Sequence, residues 1–161
     1  MYKHFIGLTT ILLCIFCLNC QEAFAAKADA SDGQQDIISL DMLEMVNEER
    51  RRAGLQPLLW DTELAAAAEI RCQEAVEVFG HVRPDGQLFY TVASCLKNRT
   101  CGENIAGGQL TLSKVMEAWM ASPGHRENIL CADYKYIGAG CYYDPAGEYE
   151  IYWVQLFAAE K

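Results

Sequence analysis

Residues 148–158, EYEIYWVQLFA, limit the possible folds more than any other stretch of the chain. They are rich in aromatic and β-branched residues and contain neither Gly nor Pro, so they read as a strand. Side chains alternate across a strand. Ile151, Trp153, Gln155 and Phe157 therefore share one face, and Tyr152, Val154, Leu156 and Ala158 share the other. Both faces are mostly apolar. Such a strand belongs in the middle of a sheet that is covered on both sides. Tyr136 to Tyr143, YIGAGCYY, reads as a second strand, with small residues where another element must pack close. Asp144-Pro145-Ala146-Gly147 is the turn between the two.

The covering layers must come from upstream, where the period changes to helical. Ile37 to Ala53 reads as a helix with Ile38, Met42, Met45, Val46 and Ala53 inward, residues 48–52 as a solvated charge run, and Gly54 as its stop. Asp61 caps a second helix on the stripe Leu64, Ala68, Cys72, Ala75 and Phe79. Residues 89–96 read as a short helix, and residues 101–108, CGENIAGG, as a Gly-flanked loop or helical turn. In residues 115–130, VMEAWMASPGHRENIL, one helix ends and Ser122-Pro123 starts another, with Ser122 as N-cap and Pro at the first helical position. Helices first and strands last make the class α+β, with helices flanking a mostly antiparallel sheet.

The first residues are not part of this plan. Lys3 precedes an apolar run over residues 5–18, too short for a membrane span of about 20 residues. Ala23-Phe24-Ala25 then fits a small-x-small cleavage site. The expectation is a signal peptide over 1–25, a flexible leader over 26–36 and one domain over 37–161, with no membrane span in the mature chain. Net charge is −9, and losing Lys3 and Glu22 together leaves it unchanged. That balance argues against nucleic acid and anionic membranes as partners. Export makes disulfides reasonable. Cys72, on the apolar helical stripe, reads as a small buried hydrophobe. Two bridges among Cys72, Cys95, Cys101, Cys131 and Cys141 can be drawn in fifteen ways. With Cys72 set aside, Cys95 with Cys101 and Cys131 with Cys141 is the favoured arrangement, the first pair being the safer because only the loop-like LKNRT separates them.

After the signal peptide only two histidines remain, His81 and His125, each beside a Gly at a helix edge. Glu103 lies between them. His125 falls in the first turn of its helix, where the positive dipole end disfavours imidazolium. Two neutral imidazoles and a carboxylate would make a three-ligand site with an open position, the usual form of catalytic zinc. Their wide separation fixes no shared face, so other readings stand beside this one. His81 can cap the preceding helix, Glu103 can accept N–H groups of its own turn, and His125 can be a packed structural residue. Glu117 and Arg126 read as surface charges. Ser122, taken up as a cap, is a poor nucleophile candidate.

Several segments in a fixed order carry a family resemblance. They are VNEERRRAGLQPLLWD (46–61), FGHVRPDG (79–86), GENIAGG (102–108), W-x-x-SPGHRENIL (119–130), YIGAG (136–140) and YWVQLF (152–157). Together they resemble the CAP superfamily of cysteine-rich secretory proteins, antigen five and pathogenesis-related plant proteins, in its bacterial secreted branch. The resemblance implies a three-layer α-β-α sandwich. It also implies a cleft with two His and two Glu as a divalent-metal site, zinc or another ion. His81, Glu103 and His125 match three of those positions, and Ser122 stands where the eukaryotic members carry the second Glu. With one carboxylate missing, a binding module is the expected function rather than a hydrolase that uses Glu103 on bound water. A third reading is a cluster that only ties the fold together. The expected partners are a small lipid or sterol, a peptide, a glycan, or a host or cell-surface protein, taken by a monomer.

Overall fold

The structure, a computed structural model, describes residues 40–160. The expected signal peptide, the leader and the start of the domain lie outside the described residues. Strand β4, Ile151–Ala159, is the centre of the architecture. Tyr152, Val154, Leu156 and Ala158 enter one apolar cluster, shared with Leu64, Ala68, Cys72 and Ala75 of helix α2, Thr62–Glu77. Trp153 and Phe157 enter a second cluster. It is shared with helix α1 (residues 40–52), helix α3 (Leu112–Ala121) and helix α4 (Pro123–Ile129). A strand with two apolar faces has thus been covered twice, and the fold is the expected α-β-α sandwich.

Among the described residues four strands form the sheet, in the order β1-β3-β4-β2. β3 (Tyr134–Tyr143) and β2 (Cys101–Gly107) both run antiparallel to β4. β1, only Leu59–Trp60, adds the one parallel pairing, to β3. The sheet is mixed for that reason, although most of it is antiparallel. Helix α2 lies almost directly on β3. A Cβ at Gly138 would sit 2.1 Å from the Ala65 backbone nitrogen, and one at Gly140 would sit 2.8 Å from that of Glu69. The small residues of YIGAG are there for that approach.

Local signals at the helix ends hold in most places. Asp61 Oδ1 accepts from the N–H groups of Glu63 and Leu64 at 2.9 and 3.1 Å. Gly54 ends α1 with φ of +73°, a conformation that favours glycine. Ser122 departs from expectation: its side chain makes no capping hydrogen bond, and Pro123 begins α4 without it.

Four other expectations are corrected. Residues 101–107 form a strand, not a loop. Their glycines mark close approaches inside a sheet: a Cβ on Gly102 would be 2.5 Å from the Tyr134 hydroxyl, and one on Gly107 would be 2.7 Å from the Tyr149 ring. Residues 89–96 form two 3-10 turns, Phe89–Val92 and Ser94–Leu96, separated by an extended Ala93. The charge run over 48–52 is not uniformly solvated, because Arg50 is 1% exposed. It shares a helical face with Met42 and Val46, and its guanidinium donates to the carbonyls of Gln56, Ile129 and Cys131 at 2.8, 2.9 and 2.8 Å.

The fourth correction concerns the disulfides. Cys95, Cys101 and Cys131 are thiols, so neither expected bridge is present. For Cys131 and Cys141 the strand itself forbids one. Cys141 lies seven residues beyond Tyr134 along β3, about 23 Å at roughly 3.3 Å per residue. The three residues back to Cys131 recover about 11 Å at most, and a bridge needs Cα atoms within about 7 Å. Burial raises the pKa of both Cys95 and Cys101.

Candidate functional site

The site is built on the outer edge of the sheet, at β2. Thr100 accepts from the Ala159 N–H at one end of the β2–β4 ladder, and Gly108 donates to the Ile151 carbonyl at the other. Alternation then turns the backbone of Glu103 and Ile105 away from β4. Their carbonyls accept from Asn128 Nδ2 at 3.1 Å and Trp119 Nε1 at 3.5 Å, so α4 and α3 cover this edge. The pleat sends the neighbouring side chains Glu103 and Asn104 to opposite faces. Glu103 goes to the α2 side and Asn104 to the α4 side. Each of them holds one histidine.

Glu103 is fully buried, and so is the Arg71 side chain that faces it from α2. Arg71 Nε donates to Glu103 Oε2 at 2.8 Å, and Arg71 Nη2 reaches Oε1 at 3.4 Å. His81 Nδ1 lies 2.8 Å from that same Oε1. The His81 side chain is 53% exposed, so one side of its ring is fixed by a buried carboxylate while the rest meets solvent. The Glu103 hydrogen bond raises the His81 pKa above its ordinary value, against the opposing effects of burial and the Arg71 charge.

His125 belongs to the other layer. Asn104 Nδ2 donates to the His125 carbonyl at 3.1 Å and to Gln155 Oε1 at 3.0 Å, while Asn128 Nδ2 donates to Asn104 Oδ1 at 2.9 Å. This amide network pins α4 to the sheet and explains why the polar Gln155 sits on an otherwise apolar face of β4. Burial, and then the charge of His81, push the His125 pKa below its ordinary value. The expected direction is found, but its main cause is desolvation rather than the helix dipole.

Of the three residues singled out in the sequence, His81 lies directly on Glu103, while His125 is tied through its backbone carbonyl to Asn104 on the other layer. The residues that hold them, Arg71, Asn104, Asn128 and Gln155, are not among the expected site residues. A signal existed for Arg71, which lies three residues after Ala68 and four before Ala75, on the buried side of α2. Glu117 and Arg126 are exposed, as read, and Glu117 pairs with Lys114 at 2.7 Å. Cys72 is fully buried in the α2 cluster.

As a ligand set for a divalent ion, His81, Glu103 and His125 do not fit as placed. Both Glu103 oxygens are already spent on Arg71 and His81. Among the described residues no three His, Cys, Asp or Glu side chains are grouped to hold an ion. Exposed apolar side chains lie along the segment that carries His81. Phe79, Val82, Leu88 and Tyr90 are 43, 43, 49 and 39% exposed. Val82 pairs with Leu88 in an isolated bridge, and Phe89 stands edge-on to the imidazole at 6.4 Å.

Fold and motifs together define a family. The sequence profile of CAP, the cysteine-rich secretory protein family, matches residues 43–157, and the chain belongs to that family. YkwD of Bacillus subtilis, described as uncharacterized, is 40% identical over 103 residues, covering 62% of this chain and 40% of that protein. Among solved structures, an extracellular SCP-domain protein of Bacillus anthracis is similar with a TM-score of 0.68 and 23% identity. That match covers 78% of this chain and 41% of the other. An outer surface protein of Borrelia burgdorferi is similar with a TM-score of 0.65 and 23% identity, over 74% of this chain and 90% of the other. The matched part of this chain spans well under half of YkwD's length. At such identities the two structures speak for the fold alone. Among the described residues no helix is long and apolar enough to cross a membrane.

Proposed function

We propose that the chain is an exported, non-enzymatic binding module, with its binding surface at the β2 edge and the His81 loop. The observation that carries this reading is the state of Glu103. The carboxylate that holds the His81 imidazole is sealed from solvent and engaged at both oxygens. A general base must reach the proton it abstracts, and this one cannot do so without giving up a buried counter-ion. Hydrolysis at this edge would need a carboxylate that the chain has committed elsewhere. The exposed apolar rim of the segment that carries His81, with Phe79, Val82, Leu88 and Tyr90, favours a ligand with an apolar face, a lipid or sterol ahead of a peptide or glycan. Export is supported by the apolar run over residues 5–18 with its small-x-small site, and agrees with the two similar structures, an extracellular protein and an outer surface protein.

The test is to purify the protein from culture medium and extract it for lipid analysis beside a Val82→Asp/Leu88→Asp variant. A lipid carried by the wild type and reduced about tenfold or more in the variant is the expected result, since charge on a desolvated apolar contact is costly. Equal lipid on both proteins would remove the rim from the binding surface. A blank on both, followed by binding to glycan or peptide arrays that the variant loses, would keep the surface and change the ligand class.

A further inference from the structure

We infer that Arg71 is the built-in cation of this site: its guanidinium occupies the place beside Glu103 that a metal ion would take, and it positions His81 as it does so. The inference rests on the His81–Glu103 cluster being part of the binding surface proposed above, but its test uses no ligand of that surface.

Arg71 is fully buried on a helix face otherwise lined by Leu64, Ala67, Ala68, Cys72 and Ala75. A charge there persists only if it is paired and hydrogen-bonded. All three of its nitrogens are used. Nε meets Glu103, Nη1 donates to Glu74 Oε2 at 2.8 Å, and Nη2 donates to the Gly80 carbonyl at 2.6 Å as well as reaching Glu103. A planar fork suits this arrangement as a point charge would not. Gly80 immediately precedes His81. One guanidinium thus fixes both the backbone that enters His81 and the carboxylate that its ring meets. Glu74 extends the hold, because Arg83, two residues past His81, donates to it at 2.6 Å. The loop that carries His81 is fastened on both sides to one buried residue.

The same pairing opposes a divalent ion at Glu103. Coordination would require Arg71 to leave the carboxylate, and its charge would then be buried with half its compensation gone. An ion added without that move would sit close to a fixed cation. With Nδ1 turned to Glu103, the nitrogen of His81 left for a ligand is Nε2. Orientation of an imidazole through its far nitrogen by a carboxylate is how many sites fix a histidine tautomer. Here a guanidinium secures the carboxylate in turn.

The experiment is a zinc soak of crystals of the full chain, joined to melting temperatures with zinc or chelator. In the wild type Glu103 is expected to stay on Arg71, with no zinc at about 2.0–2.2 Å from its oxygens. Glu103→Gln is then expected to leave any zinc-dependent shift in melting temperature unchanged. Zinc on Glu103 with Arg71 displaced, or a zinc-induced rise that Glu103→Gln abolishes, would overturn the inference. Imidazole 15N NMR reads the positioning role. In the wild type neutral His81 is expected as the Nδ1–H tautomer, and in Arg71→Lys as a mixture of tautomers. A folded Arg71→Lys with an unchanged tautomer would overturn that role. If Arg71→Lys does not fold, the same spectrum of Glu74→Gln, which loosens the guanidinium from one side, replaces it, and an unchanged tautomer there counts equally against the role. Failure to find a lipid, peptide or glycan ligand would change none of these outcomes.

Discussion

At the level of single residues, His81 and His125 are driven in opposite directions by their surroundings, and pH separates them. The His81 pKa is raised, first by its hydrogen bond to Glu103. A base with a raised folded pKa contributes stability that is complete below its unfolded value of about 6.5 and is lost as pH rises through the folded value. His125 has the opposite sign. Its pKa is lowered by burial, so its contribution is present above about 6.5 and is lost as pH falls through the folded value. A comparison of wild type with His81→Gln leaves burial, the larger cause of the His125 shift, the same in both proteins and removes only the lesser effect of the His81 charge. The gap in melting temperature should be widest near pH 5.5 to 6 and should narrow toward pH 8; a gap that widened with pH would contradict the Glu103 contact as its cause. Arg50 offers a test that does not depend on pH. Arg50→Met keeps much of the apolar stem but strips three carbonyls of a charged donor. At about 1.5–3 kcal/mol for a hydrogen bond to a charged group, partly recovered by water, a loss of about 3 kcal/mol is expected in urea denaturation. Neither buried arginine is visible as such in the sequence. Arg50 sits in a run of four other charged residues, and only its four-residue spacing from Val46 sets it apart. Arg71 breaks an apolar stripe, but what it meets comes from a strand 32 residues away.

Among the elements, the glycines show how one residue type carries opposite meanings. Gly138 lies where β3 meets the backbone of α2, and a Cβ there would come within 2.1 Å of the Ala65 nitrogen and 2.2 Å of the Leu64 carbonyl carbon. Backbone cannot rotate aside as a side chain can. Gly138→Ala should therefore force α2 off the sheet and cost about 3 kcal/mol or more. Gly124, inside α4, has nothing within 4 Å of the same position. Gly124→Ala should be neutral or stabilising by about 0.5–1 kcal/mol, through a less flexible unfolded chain and a better helix former. Chemical denaturation of the two variants checks both signs, and a harmless Gly138→Ala would contradict the packing of α2 on β3. The elements legible in the sequence are those whose own composition decides them. β4 is legible because both of its faces are apolar, and α2 because Asp61 and an alanine-rich stripe mark it. β2 is not. Its glycines serve contacts with Tyr134, Asn128 and Tyr149, all distant in sequence, and locally they look like loop residues. The candidate site is half legible for the same reason. Its histidines and Glu103 stand in motifs, whereas the pleat that turns Glu103 and Asn104 to opposite layers exists only once β2 is known to be a strand.

For the molecule as a whole, the central question is what holds three layers together. The disulfide expectation supplied covalent staples, and the structure replaces them with packing. Among the described residues two apolar clusters, one on each face of β4, take in the large buried apolar side chains, and buried arginine and amide networks tie the helices to the rest of the fold. A domain of this size can bury enough surface to be stable without cross-links. A bridge closing a short loop would add about 2–3 kcal/mol. At about 3–5 °C per kcal/mol for a domain of this length, its reduction would lower the melting temperature by roughly 6–15 °C. Since Cys95, Cys101 and Cys131 are thiols, the melting temperature of protein purified under air should move by less than about 2 °C when a strong reductant is added. The controls sharpen this. Cys95→Ser and Cys101→Ser should respond alike to reductant and to each other, because neither breaks a shared bond. A fall of several degrees on reduction, reproduced by either serine variant and not increased by both together, would instead mean that this pair is bridged in the protein purified under air.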